Sequence, residues 1–147
     1  MRQVLVLTFF LLLTLWFAAC SQQRQTVSPT ATLNNHIEAM RKNDLTAMRQ
    51  NLSSGTLKMI QQTAASQNET PDDVLKEMSR QNNEAGQNAE LETRNEQISD
   101  ETASVELKNS VTGTWDKIPF VREDGRWKLA LDKLVEETLK NADAAKK

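Results

Sequence analysis

Val121-Arg122-Glu123-Asp124-Gly125-Arg126-Trp127-Lys128-Leu129 is the stretch on which the reading of this chain turns. Asp124-Gly125 is a two-residue hairpin signal, because a tight turn that suits the right-handed twist of its strands needs positive φ at its centre. After it, Trp127, Leu129 and Leu131 alternate with Arg126, Lys128 and Ala130, the period of a strand with one buried face. Before it, Ile118 and Phe120 mark the partner strand.

Working outward, the same period recurs upstream. Ala103, Val105, Leu107, Asn109 and Val111 alternate with Ser104, Glu106, Lys108 and Ser110. Leu91, Thr93 and Asn95 alternate with Glu92 and Arg94, and Ser99-Asp100-Glu101 supplies the turn between the two runs. Residues 82–88 (NNEAGQN) read as a loop by composition. Ahead of that loop the period is helical.

Ser28 is a candidate N-cap with Pro29 at the first helical position, where a missing N–H costs nothing. Leu33, Ile37 and Met40 then form one apolar stripe. Asn43-Asp44 interrupts, and Asp44 caps a short helix carrying Leu45, Met48 and Leu52. Ser53-Ser54-Gly55 breaks again before Leu57, Met59 and Ile60. Thr70-Pro71-Asp72-Asp73 is a strong start signal, with two carboxylates at the positive end of a helix whose buried face is Val74, Leu75 and Met78. Asp132 opens a last helix carrying Leu134, Val135 and Leu139. Helices first and an antiparallel meander second make an α+β domain with a C-terminal helix.

The chain starts differently. Arg2 is followed by the uncharged run Val4 to Ala19, which is short for a membrane span and closes on Ala18-Ala19 before Cys20. The order of basic, apolar and small residues is that of a secretory signal. Phe17-Ala18-Ala19-Cys20 resembles the lipobox of bacterial lipoproteins, with Phe17 where Leu is usual, and Cys20 is the only cysteine. That resemblance implies a signal peptide over residues 1–19, a diacylglycerol on Cys20, and a cell-envelope location. Ser21 suits sorting to an outer membrane, facing the periplasm. Residues 20–28 then serve as anchor and polar tether, reaching roughly 28 Å at full extension. The domain is expected to stay near that surface.

Helices with short breaks, followed by strands that close on the Val121–Leu129 hairpin, resemble the small NTF2-like lipoproteins of the DUF4878 kind. This covers residues 29–131 and leaves residues 132–147 as a C-terminal helical extension. It implies an NTF2-like cone, with the N-terminal helices packed on a curved antiparallel sheet around a cavity. The walls of that cavity are then Leu33, His36, Ile37, Met40, Asn95, Val105, Leu107, Asn109, Phe120, Trp127 and Leu129.

The formal charge is −2 with no basic cluster, which argues against nucleic acid and against electrostatic attachment to membranes. The single His and single Cys do not build a transition-metal site, and no cofactor is expected. His36, at the edge of the first apolar stripe, reads more simply as a boundary residue than as a base. Asp44, Asp72, Asp73, Asp100, Asp124 and Asp132 fall at caps and turns, where backbone hydrogen bonding accounts for them. No catalytic residue is assigned. Met40, Met48, Met59 and Met78 fill helical apolar positions, and Trp115 is a candidate rim residue. The expected role is therefore non-enzymatic binding of a small apolar ligand or an envelope protein. Two alternatives remain open: a hydrolase or isomerase using His36 with Asn95 or Asn109, and an assembly factor docking through the C-terminal helix.

Overall fold

The computed structural model describes residues 27–84, 91–110 and 112–144. The expected signal peptide, Cys20 and most of the expected tether lie outside the described residues, as does Val111. The described residues form an α+β fold of five helices and a four-stranded antiparallel sheet. The elements run α1 (Pro29–Lys42), α2 (Leu45–Asn51), α3 (Ser54–Gln67), α4 (Pro71–Glu84), β1 (Thr93–Ser99), β2 (Thr102–Lys108), β3 (Trp115–Glu123), β4 (Arg126–Leu129) and α5 (Leu131–Ala144).

The caps are local chemistry. Ser28 Oγ accepts from Ala31 N at 3.1 Å, and Asp44 Oδ1 accepts from Ala47 N at 3.0 Å. Thr70 and Asp73 cap α4 reciprocally: Asp73 N donates to Thr70 Oγ1 at 3.3 Å and Thr70 N to Asp73 Oδ2 at 3.2 Å. α1 and α3 both end on an asparagine in the left-handed region, Asn43 (φ 53) and Asn68 (φ 55). In each, the following N–H reaches back to a carbonyl five residues earlier, Asp44 N to Ala39 O and Glu69 N to Ala64 O, both at 2.9 Å. Ser53-Ser54-Gly55 is a start as well as a break: Ser53 caps α3, and Ser54 and Gly55 are already helical. The loop expected over 82–88 begins later, because α4 runs on to Glu84.

The sheet is a meander in the order β1-β2-β3-β4. Asp124 (φ 51) and Gly125 (φ 71) both adopt positive φ between the paired residues Glu123 and Arg126, as the hairpin signal requires. Cross-strand partners define two faces. Ile98, Ala103, Phe120 and Leu129 form one inner row, and Val105 pairs with Ile118. Gln97, Ser104 and Pro119 form an outer row, as do Ser99, Thr102 and Val121.

The inner face meets the helices in one core. Leu33 and Ile37 of α1, Met48 of α2, Ile60 of α3 and Leu75 of α4 close on Val105, Ile118, Phe120, Trp127 and Leu129. Leu52, which follows α2, joins them. The β4 edge is covered, since Ser53 N donates to Leu129 O at 2.9 Å and Leu52 bridges to Leu129. α5 turns back from β4 onto β3 and α3.

Candidate functional site

Most of the residues expected to wall a cavity belong to the buried core. Leu33, His36, Ile37, Val105, Phe120, Trp127 and Leu129 are each at most 4% exposed, and all of them but His36 belong to one apolar cluster. Met40 and Leu107 pack against that core from its margin.

His36 is more buried than a boundary position implies. It faces α2, where its hydrogen bond with the Met48 backbone favours the charged form. Loss of water outweighs that contact and lowers its pKa to about 4. Nδ1 has no partner among the described residues. A neutral imidazole closed off from solvent has no route to a substrate proton.

Neither asparagine joins it. Asn95 lies at a β-bulge, where the β1–β2 register shifts between Arg94 and Gln97 and Asn95 takes φ 51. The extra residue breaks the alternation, so the inward phase expected for Asn95 is not kept. It is exposed, and its Nδ2 donates to Glu106 Oε2 at 2.9 Å. Asn109 lies past the end of β2 in the turn to β3. Its N–H donates to Thr114 O at 2.8 Å and its Oδ1 accepts from Thr112 N at 3.1 Å. Backbone turn chemistry, rather than a site, holds this amide.

The bulge serves a different end. It turns Glu96 back to α1, where Glu96 Oε2 accepts from Thr30 N at 2.9 Å and Thr30 Oγ1 at 2.5 Å. Glu123 does the same for α3, accepting from Ser54 N at 3.0 and 3.1 Å and from Ser54 Oγ at 2.8 Å. Asp132 Oδ1 lies 3.2 Å from Ser53 Oγ and 2.9 Å from Thr56 Oγ1. Three carboxylates from the second half of the chain thus sit on helix N-termini of the first half, where the helix dipole favours negative charge. Local reading missed them, because each falls near a turn or strand end and its partner lies 66 to 79 residues away.

The outer face of the sheet carries a polar network and a groove. Arg94 Nε donates to Glu106 Oε2 at 2.6 Å, and the guanidinium stacks 3.9 Å from the centre of the Trp115 ring. Trp115 is thereby half covered instead of forming a bare rim. The Arg94 hydrogen bond holds the Glu106 carboxyl below its usual range. Beyond this network a groove of about 520 Å³ lies between the sheet and α5. Ser104, Pro119 and Val121 contribute to its floor and Lys133 and Glu137 to its wall. On α5 itself, Val135 is 46% and Leu139 62% exposed.

Among the described residues, no group of three or more His, Cys, Asp and Glu side chains is placed to hold a metal ion. No helix among them is long and apolar enough to cross a membrane. No protein-family model matches the sequence, and no curated protein is significantly similar to it.

Proposed function

We propose that this chain is a lipid-anchored cell-envelope protein that works by binding a protein partner, without catalysis. The observation that carries the reading is the exposed apolar row on α5. Leu131 is partly buried against the core, while Val135 and Leu139, one and two turns further on, stand in solvent. A helix that begins packed and ends with its apolar row uncovered fits a partner's groove. The contact of the helical layer with the sheet through one apolar cluster supports protein docking over carriage of an apolar ligand. The isolation of His36 supports a role outside catalysis. On this reading Cys20 bears the lipid, and the domain is a compact variant of the NTF2-like cone. The helix-then-meander order and the Val121–Leu129 hairpin support that assignment.

The test uses the membrane-anchored chain. The double variant Val135→Asp, Leu139→Asp leaves Leu131 and Asp132 in place, so the helix root stays docked. Chemical cross-linking in the host envelope is expected to join the parent chain to a defined partner and to lose that product in the variant. An unchanged cross-linking pattern refutes the proposal.

The groove favours a second reading, in which a small ligand lies against Ser104, Pro119 and Lys133. Its volume is within the usual range for ligand sites. A reproducible extra mass on the protein in native mass spectrometry supports this reading, and a clean apo mass removes it.

A further inference from the structure

Among the described residues the large apolar side chains left exposed are Val27, Ile98, Val135 and Leu139. The last two belong to α5. Val27 lies where the chain enters the domain, and Ile98 lies on β1, among the residues that line the groove beside Lys133 and Glu137. Val27 is three residues before Thr30, Ile98 is two residues after Glu96, and Thr30 and Glu96 are joined by the two hydrogen bonds already described. Val27 is 50% exposed and Ile98 56%. Ile98 belongs to the inner row of the sheet with Ala103 and Phe120. The helical layer shields Phe120 and leaves Ile98 open to solvent.

We infer that this corner, Val27 with the α1 N-terminus and Ile98 of β1, is the face that rests on the lipid surface. The inference rests on the reading of Cys20 as the anchor. From Cys20 to Val27 the chain spans at most about 25 Å, so the entry corner is held beside the bilayer that carries the acyl chains. A tether of that length keeps the effective concentration of lipid at the corner high. A contact too weak to recruit a free protein then suffices to orient one already attached. Two half-exposed aliphatic side chains are a contact of that kind. The adjoining β1–β2 turn carries the exposed Asp100 and Glu101. Those charges are repelled by anionic headgroups, so the contact is confined to a zwitterionic surface.

The experiment takes the full chain, purified from the host membrane and reconstituted in phosphatidylcholine vesicles that contain a spin-labelled quenching lipid. If Cys20 is acylated, the parent chain has no free thiol, and Ile98→Cys and Gln62→Cys each introduce a single labelling position. Gln62 is an exposed residue of α3, a helix that packs on α4 and α5. A fluorophore on Ile98→Cys is expected to be quenched by the lipid, and one on Gln62→Cys is not. Equal quenching at both positions, or none at position 98, overturns the docked orientation while leaving the anchor intact. A parent chain that itself takes up the thiol label overturns the anchor reading, and the docking inference with it.

Discussion

Gly55 of α3 lies directly against the Asp132 carboxylate of α5: a Cβ at residue 55 would come 2.5 Å from Oδ2 and 2.9 Å from Cγ. The glycine allows the second helix of this pair to begin on the N-terminus of the first. Asp132 cannot swing away freely, because the hydroxyls of Ser53 and Thr56 hold its Oδ1. Helix propensity alone favours Ala at position 55 by about 1 kcal/mol. The contact reverses that sign. Gly55→Ala is expected to destabilise the domain by about 1–2 kcal/mol, since displacing Asp132 breaks the charge-assisted hydrogen bonds from Ser53 and Thr56 and leaves these hydroxyls only Thr56 Oγ1 and Leu129 O as acceptors. In urea unfolding, Gly55→Ala combined with Asp132→Ala is expected to lose less than the sum of the two single variants. Strict additivity would mean that the two residues do not constrain each other.

Glu123 ties the β3–β4 hairpin to α3 through Ser54 N and Ser54 Oγ. Its role is that of a cap supplied from a distance. Glu123→Ala is expected to cost about 1 kcal/mol, the usual effect of losing a cap. Glu123→Gln is expected to recover part of it, since the amide oxygen still accepts. Hydrogen exchange at the Ser54 amide localises the effect: it accelerates in Glu123→Ala and changes little in the β1–β2 turn. Uniform acceleration across the domain would point to general destabilisation instead.

Asn95 carries the bulge that aims Glu96 at α1. Its left-handed backbone (φ 51) costs a β-branched residue roughly 1–2 kcal/mol, while Asn and Gly tolerate it. Asn95→Val is therefore expected to lower stability by about that amount, and Asn95→Gly to stay close to the parent despite losing the hydrogen bond to Glu106. Chemical denaturation of the two variants decides it. Equal losses in both would place the importance of Asn95 in its side chain, contrary to the backbone account.

These residues also show where local reading of the sequence stops. The capping signals at Ser28, Asp44 and Thr70 were legible because donor and acceptor lie within three residues of each other. The Asp124-Gly125 turn was legible for the same reason. The inner strand positions Val105, Phe120, Trp127 and Leu129 followed from period two. That period misassigned Asn95 and Asn109, since a bulge inserts one residue and a turn ends the strand, and neither event has an apolar signature. The joining of helices and sheet in one apolar cluster was not legible either. Alternation states which side chains face inward, and only the approach of the helical layer decides whether they meet or enclose a space. Glu96, Glu123 and Asp132 were unreadable as links, because an acidic residue near a turn has a sufficient local explanation until the fold brings a helix N-terminus to it.

His36 gives the domain a specific acid response. Burial holds its folded pKa at about 4, below the value of about 6.5 for an unfolded histidine. The unfolded chain therefore binds a proton that the folded chain refuses. Stability is fully present above about pH 6.5, declines as pH falls toward 4, and loses no more to this group below that. The shift corresponds to roughly 3 kcal/mol across that window. Exposed carboxylates add their own losses at lower pH: Glu77, held down to about 2 chiefly by its hydrogen bond from Arg80, titrates outside the window. His36→Gln keeps a polar side chain facing Met48 and removes the titration. Urea midpoints at pH 7.5 and pH 5 are expected to differ strongly for the parent and much less for His36→Gln. If the two proteins lose stability in parallel over this range, the imidazole is not the group that charges, and the α1–α2 interface must be open enough to hydrate it.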